Sequence, residues 1–144
     1  GPIVLKIYLG SWSPYCNLEL RALQQALPDI QAHGGQVICI TPQLPENLLQ
    51  TAALKKLDFE VLSDIRNVVS RQLGLVFTVP ESLQAFQQEL NLSIADYNGD
   101  SSFELPIPAT YIIDTQGDII HAFVDADYTQ RMEPEEIISI LKTI

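Results

Sequence analysis

Short apolar runs rich in β-branched residues alternate with longer segments whose apolar residues recur at helical spacing, and this alternation restricts the chain to few folds. The runs at 3–9, 36–41 and 59–62 predict strands that are covered on both faces. The segments at 14–33 and 45–57 predict helices between them. Strands and helices in this order require right-handed crossovers, and therefore a parallel sheet with helices on its faces.

The first predicted helix has clear start and stop signals. Ser13 followed by Pro14 is typical of an N-cap and a first helical residue. Pro28 lies inside the helical pattern, and we expect it to kink or break the helix because it removes one backbone hydrogen bond. Gly34 and Gly35 then supply the stop.

The alternation changes after a third predicted helix at 67–73, which Gly74 ends. The segment 80–90 predicts an extra helix with apolar residues on one face. The polar stretch 91–104 follows and carries an Asn98-Gly99 turn signal. We interpret this stretch as a loop that leaves the sheet.

The last third of the chain predicts a hairpin and a final helix. The strand-like runs at 110–113 and 118–124 are separated by a four-residue loop, which indicates an antiparallel pair, and a helix follows from 134 to about 142. The fold class is therefore α/β. We predict one domain over 1–144, with a mixed central sheet of parallel strands plus the hairpin, flanked by helices, and with an extra helix and loop inserted at about 75–107.

Charge and cysteine usage narrow the function classes. Eighteen acidic and eight basic residues give a net charge of −10, which repels nucleic acid and anionic membrane surfaces. No apolar run approaches the roughly 18 residues that span a bilayer, so we expect a soluble chain. The two cysteines, Cys16 and Cys39, are too few for a secreted disulfide scaffold, and this favours a reducing cytoplasm. Neither the cysteines nor the two histidines, His33 and His121, have the spacing of metal ligands.

Cys16 is the residue whose position suggests chemistry. With Ser13 as N-cap it is the third helical residue, where backbone N–H groups have no intrahelical partner and favour a sulfur anion. The Ser13 hydroxyl could donate to the sulfur, or to an oxygen bound beside it, as well as cap the helix. The alternative is a structural cysteine that follows an ordinary cap.

The segment Gly10-Ser-Trp-Ser-Pro-Tyr-Cys16-Asn-Leu-Glu-Leu-Arg-Ala-Leu23 resembles the active-site region of the peroxiredoxin-like branch of the AhpC/TSA family, within the thioredoxin superfamily. Many members of that branch have Trp-Cys-Pro-Tyr-Cys here, and Ser13 takes the place of the first cysteine. The resemblance extends to Leu62-Ser-Asp64, to Pro108-Ala-Thr-Tyr-Ile-Ile-Asp114 and to Asp127-Tyr-Thr-Gln-Arg-Met-Glu-Pro134.

The resemblance implies a thioredoxin-like fold and a thiol peroxidase. Cys16 matches the cysteine that attacks hydrogen peroxide or a small organic hydroperoxide and becomes a sulfenic acid. Ser13 matches the Thr or Ser three residues before that cysteine. Without a first cysteine the motif cannot form a local disulfide, so the chain is predicted to use one cysteine, to need an external thiol such as thioredoxin or glutathione, and to need no cofactor.

Two positions depart from the family pattern. Leu9 stands where a proline is usual, and Pro108 stands where an arginine is usual, as in thioredoxins with their cis-proline beside the active cysteine. Arg131 is the candidate substitute, because the turn after the last strand lies at the same sheet edge as the start of the first helix. The alternative is a solvated Arg131 that pairs with Glu133 or Glu135.

The remaining site predictions concern the pocket. Trp12, Pro14 and Tyr15 flank the cysteine and, with Pro108, are expected to line a pocket that excludes water from the sulfur. Cys39, in an apolar strand, is expected to be a core residue.

Two other functions stay open at this point. One is a thioredoxin-fold redox-sensing or binding module without catalysis, and the other is a thiol-disulfide oxidoreductase. The sequence also leaves a homodimer open.

Overall fold

The computed structural model describes residues 1–48, 56–89, 94–99, 102–124 and 132–144. The strands are β1 (Ile3–Ile7), β2 (Gln36–Thr41), β3 (Glu60–Ser63), β4 (Val76–Thr78), β5 (Glu104–Pro106), β6 (Ala109–Ile113) and β7 (Ile119–Val124). The helices are α1 (Pro14–Ala32), α2 (Val68–Gln72), α3 (Glu81–Glu89), α4 (Ile94–Asn98) and α5 (Pro134–Leu141), with a 3₁₀ turn at Ile65–Asn67.

Five strands form the central sheet in the order β3-β2-β1-β6-β7. β1, β2 and β3 run parallel, whereas β6 is antiparallel to both β1 and β7. The predicted α/β fold with a mixed sheet and a C-terminal hairpin is confirmed. β1 is the central strand, so both of its edges are hydrogen-bonded and both of its faces are available to support helices.

The core below α1 contains the residues that matter for the site. Val4 on β1 and Tyr8 directly after it belong to the same buried cluster as the apolar residues of α1 and α5, whereas Ile7 belongs to a cluster on the opposite face of the sheet. This is the two-residue alternation of a strand. The side chain of Lys6 therefore lies on the α1 face, between Val4 and Tyr8, where burial is complete or nearly so.

α1 differs from the prediction at Pro28. The helix continues through Pro28 to Ala32, so the expected break does not occur. Pro28 is exposed, and the carbonyl of Gln24, four residues earlier, loses its helical donor on the side that water can reach. The predicted stop is confirmed, since Gly34 adopts a φ of 80° and the N–H of Gly35 donates to the carbonyl of Ile30 at 2.9 Å.

The insertion contains more regular structure than a helix and a loop. α3 is confirmed at the predicted position, but the stretch expected to be irregular holds α4 and β5. β5 pairs with β4 in a separate two-stranded antiparallel sheet. Both strands are only three residues long, too short for a recognisable period, and their pairing joins segments that are distant in sequence.

The helix predicted at 45–57 is described only at 45–48, which is helical; its remainder falls largely outside the described residues. In the parts of the chain that the structure describes, none of the helices has the length and apolarity needed to cross a membrane.

Candidate active site

α1 begins as the sequence predicts. Ser13 has an extended backbone, and its Oγ accepts a hydrogen bond from the backbone N–H of Cys16 at 3.4 Å, while its carbonyl accepts from the N–H of Asn17 at 3.0 Å. Pro14 is the first helical residue, which needs no hydrogen-bond donor there. Cys16 therefore lies in the first turn, at the positive end of the helix dipole.

The loop before α1 is held by residues that the sequence analysis missed. Gln43, completely buried, accepts from the N–H of Ser11 at 3.1 Å through Oε1 and donates to the Ser11 hydroxyl at 2.9 Å through Nε2. Asn17 donates from Nδ2 to the carbonyl of Ser11 at 2.8 Å. These three bonds fix the loop between β1 and α1, and no motif in the sequence indicates them because Gln43 lies 32 residues away.

Trp12 folds back over the start of this loop. A Cβ placed on Gly10 would lie 2.5 Å from Nε1 of Trp12, so only glycine leaves room for the indole in this position. Trp12 is half-buried and packs against the core cluster, and its Nε1 is a buried donor for which the described residues provide no hydrogen-bond partner.

The Cys16 thiol lies inside the molecule, with only 1% of the residue exposed. This differs from a pocket that opens directly onto the sulfur, because the first turn of α1 packs its buried face onto β1. Tyr8, directly after β1, is fully buried, and its hydroxyl has no hydrogen-bond partner among the described residues. Burial raises the pKa of Tyr8 well above its usual range, and the charges of Cys39 and Cys16 raise it further. Both sulfurs are therefore within electrostatic reach of this hydroxyl.

The other predicted pocket residues divide into two groups. Pro14 and Tyr15 are exposed on the first turn of α1. Pro108 is buried just before β6; continuing the pairing of Ile7 with Ala109 by one residue places it opposite Tyr8. The described residues include no cis peptide bond, so Pro108 differs here from the cis-proline of thioredoxins.

Arg131 lies outside the described residues. Cys39 is completely buried in β2, as expected for a core residue. Burial raises the pKa of the Cys39 thiol far above its ordinary value; the charge of Lys6 opposes this rise and that of Glu19 adds to it.

A buried ion pair connects β1 to α1. Nζ of Lys6 lies 2.5 Å from Oε2 of Glu19, and the two side chains are 3% and 6% exposed. This pair is not among the residues predicted from the sequence. Its signal is a lysine in the middle of an apolar strand, together with a glutamate among the apolar positions of α1, but neither residue identifies the other.

No metal centre is found in the described parts of the chain, where no group of three His, Cys, Asp or Glu side chains is arranged to hold an ion. The Nδ1 of His33 lies 2.8 Å from the carbonyl of Asp29 at the end of α1.

Comparison with known proteins connects this site to one family. The model of the AhpC/TSA family matches residues 1–122. Among the curated proteins, no sequence matches the chain.

The fold also matches solved peroxiredoxin structures. Peroxiredoxin Q of Xanthomonas campestris has 13% sequence identity and a TM-score of 0.74 over 99% of this chain and 78% of its own. Peroxidoxin BcpB of Mycobacterium tuberculosis has 16% identity and a TM-score of 0.73 over 99% and 79%. The reduced 2-Cys peroxiredoxin of Plasmodium vivax has 18% identity and a TM-score of 0.69 over 99% and 76%.

Proposed function

The chain belongs to the AhpC/TSA family, and we propose that it is a thiol-dependent peroxidase in which Cys16 is the only reacting cysteine. Family membership supports peroxide reduction by a thiol in general. The single observation that carries the assignment to Cys16 is its place in the first turn of α1, directly after the Ser13 cap. The proposed substrates are hydrogen peroxide and small organic hydroperoxides, and a similar Xanthomonas campestris protein is described by its alkyl peroxide reduction activity.

The proposed reaction starts from the Cys16 thiolate. Its sulfur attacks one oxygen of the peroxide, the O–O bond breaks, and the sulfur becomes a sulfenic acid. The other oxygen leaves with the electron pair and takes a proton to become water or an alcohol. Because Ser13 Oγ accepts from the Cys16 N–H, its own hydroxyl proton is available to the oxygen on which negative charge develops.

Buried donors below the first turn support an oxygen-binding role. In the part of the chain that the structure describes, the hydroxyl of Tyr8 and the Nε1 of Trp12 are both buried without a hydrogen-bond partner. An unsatisfied buried donor costs about 1–3 kcal/mol. A peroxide or sulfenic acid oxygen next to Cys16 would supply an acceptor, so these groups favour the oxidised or substrate-bound state.

The second half of the reaction requires an external thiol. Ser13 replaces the first cysteine of the motif, and burial keeps Cys39 protonated by raising its pKa, which makes it a poor nucleophile. A thiol of the glutathione or thioredoxin type would attack the sulfenic acid, giving a mixed disulfide and water. A second thiol then releases Cys16 as a thiol and carries away the disulfide.

The exposed surface near Cys16 suits the binding of a thiol reductant. Tyr15 and Leu18, 44% and 52% exposed, present apolar surface beside the buried thiol. Since Cys16 itself is buried, the first turn of α1 must open for either partner to reach the sulfur. Arg131 remains the proposed cation for the peroxide oxygens, with Pro108 in the pocket wall. A cytoplasmic location and a homodimer belong to the same proposal.

Trapping the sulfenic acid tests the function directly. The protein is exposed to peroxide with a 1,3-dione present, and the labelled residue is identified by peptide mass mapping. We expect label on Cys16 in the wild type and in Cys39→Ala, and none in Cys16→Ser. If peroxide leaves Cys16 unlabelled while iodoacetamide still modifies it, the peroxidase proposal is wrong.

A redox-sensing module is the second candidate, and the burial of Cys16 favours it. Such a module would form the sulfenic acid once and show no turnover with thioredoxin or glutathione. Steady-state peroxide consumption in the presence of either thiol therefore separates the two functions. A disulfide oxidoreductase would require that Ser13→Cys give insulin reduction to a chain that lacks it.

A further inference from the structure

The buried ion pair lies one helical turn from the reactive cysteine. Glu19 follows Cys16 by three residues on α1, a spacing that puts both side chains on the same face of the helix. Lys6 extends from β1 to within 2.5 Å of Glu19. Among the described residues, it is the one salt bridge whose two partners are both buried, since the pair of Arg71 and Glu104 is exposed.

Stability alone does not explain why this core holds two charges. Removing a lysine and a carboxylate from water is costly, and their mutual attraction recovers only part of that cost. Apolar side chains of similar volume commonly give a core that is equally stable or more so. A role in the chemistry of the neighbouring thiol is therefore the more informative hypothesis.

We propose that Lys6 is a positioning residue for the reaction at Cys16, supplying buried positive charge one helical turn along α1 from the cysteine, and that Glu19 both holds Lys6 in place and limits its effect. This inference rests on the proposed peroxidase function. A thiolate at Cys16 needs more than a helix terminus for its stabilisation, and Pro108 occupies the position where the family pattern has an arginine.

The arrangement of the buried groups determines the sign of each effect. Lys6 pairs with Cys39 across β1 and β2, and Tyr8 follows two residues later on the same face, directly after β1. At Cys39 the lysine charge lowers the pKa of the thiol and the Glu19 charge raises it. By Coulomb's law, a positive charge at Lys6 favours an anionic sulfur on this face of α1, and a negative charge at Glu19 opposes it.

Among the described residues, the others that line the cavity beside Lys6 and Glu19 are uncharged. Thr110 of β6, Met132 before α5 and Ile137 of α5 line the same cavity as Lys6 and Glu19. Its volume is about 10 Å³, roughly enough for one water molecule. Tyr8 and Cys39 are thus the titratable groups that face the pair or Cys16 from the sheet in the described structure, and α5 contributes apolar surface.

The test measures how fast iodoacetamide modifies Cys16 between pH 5 and 10, with mass mapping to identify the residue. We expect Lys6→Met to move the midpoint of the rate profile upward by about one pH unit, which makes alkylation about tenfold slower below the midpoint. Glu19→Gln is expected to move it downward by a similar amount, because Lys6 keeps its charge and loses its counterion. The double variant should lie close to the wild type.

Midpoints that shift in opposite directions in Lys6→Met and Glu19→Gln are not expected from a purely structural role. If the substitutions only loosened α1, the reactivity of Cys16 would change in the same direction in both single variants. Shifts of equal sign, or unchanged midpoints in folded variants, would overturn the proposal. If Lys6→Met does not fold by circular dichroism, Glu19→Gln decides alone: its amide oxygen still accepts from Lys6, and an unchanged or upward midpoint contradicts the inference. Dione trapping in the wild type tests the peroxidase function separately, so failure of one proposal is distinguishable from failure of the other.

Discussion

Replacing Ser13 with alanine removes two things at once, a helix cap and a hydroxyl three residues before the cysteine that we propose reacts. The cap is a bond of 3.4 Å from Cys16 N–H to Ser13 Oγ, longer than the usual 2.9–3.0 Å or so. Loss of a serine cap costs about 0.5–2 kcal/mol, and the long bond places this one in the lower half, at about 0.5–1 kcal/mol. For a domain of this size, the melting temperature should fall by roughly 1–4 °C.

The effect on the reaction with peroxide should be larger. A hydrogen bond to a charged group contributes about 1.5–3 kcal/mol, so its loss at the oxygen that carries developing charge slows oxidation of Cys16 by roughly ten- to a hundredfold. Ser13→Gly separates the two effects, because glycine costs a capping site only a few tenths of a kcal/mol and has no hydroxyl. Ser13→Thr keeps both the cap and the hydroxyl.

The assay is the rate of sulfenic acid formation at Cys16, followed by dione trapping, with a melting curve for each variant. Ser13→Ala and Ser13→Gly should be slow to a similar degree, while Ser13→Thr stays near the wild type. If Ser13→Gly oxidises at the wild-type rate, the hydroxyl has no part in the reaction. In that case a slow Ser13→Ala variant reports only a disturbed helix start.

Two further predictions concern the buried groups and the loop. Burial raises the pKa of Cys39 in the folded state, so the folded chain keeps the thiol proton to higher pH than the unfolded chain. The stabilisation by the buried neutral thiol is therefore complete below the unfolded pKa of about 8.5. Above that pH, the free energy of unfolding falls by about 1.4 kcal/mol per pH unit. Burial also raises the pKa values of Tyr8 and Tyr111, so these residues should add to the loss of stability above about pH 10. Urea titrations from pH 8 to 11 should show that the free energy of unfolding falls less steeply with pH in Cys39→Ala than in the wild type. An unchanged slope contradicts the reasoning. Gly10→Ala should displace the indole of Trp12, the only tryptophan, and shift its fluorescence to longer wavelength, whereas an unchanged spectrum would show that the loop accommodates a methyl group.

Much of the fold could be predicted because its central elements have strong local signals. The apolar run of β2 and the Ser13-Pro14 start of α1 gave the observed boundaries directly. Continuity through Pro28 could not be predicted, since it depends on the proline facing solvent, which only the packing of α1 determines. β4 and β5 were missed because three-residue strands have no period and their pairing is a long-range contact.

The site was predictable only where chemistry and local sequence coincide. Ser13 and Cys16 are three residues apart, so helical geometry alone relates them. The register of the sheet and the placement of a distant loop bring Gln43, Tyr8 and Lys6 close to the first helix. A sequence shows that Lys6 interrupts an apolar strand, but the identity of its partner depends on how α1 lies across β1.

The α1 face of β1 explains why polar groups collect below this cysteine. β1 is the central strand, so every second residue on it is covered by α1, and a polar side chain there needs a partner within the core. Lys6 has that partner in Glu19, whereas the Tyr8 hydroxyl has none among the residues that the structure describes. The unsatisfied group is the one within electrostatic reach of Cys16, beside which we propose that a peroxide oxygen binds. A core that only had to be stable would satisfy or remove such a hydroxyl, because an unpaired buried donor costs about 1–3 kcal/mol; under the proposed function, the bound oxygen supplies its acceptor.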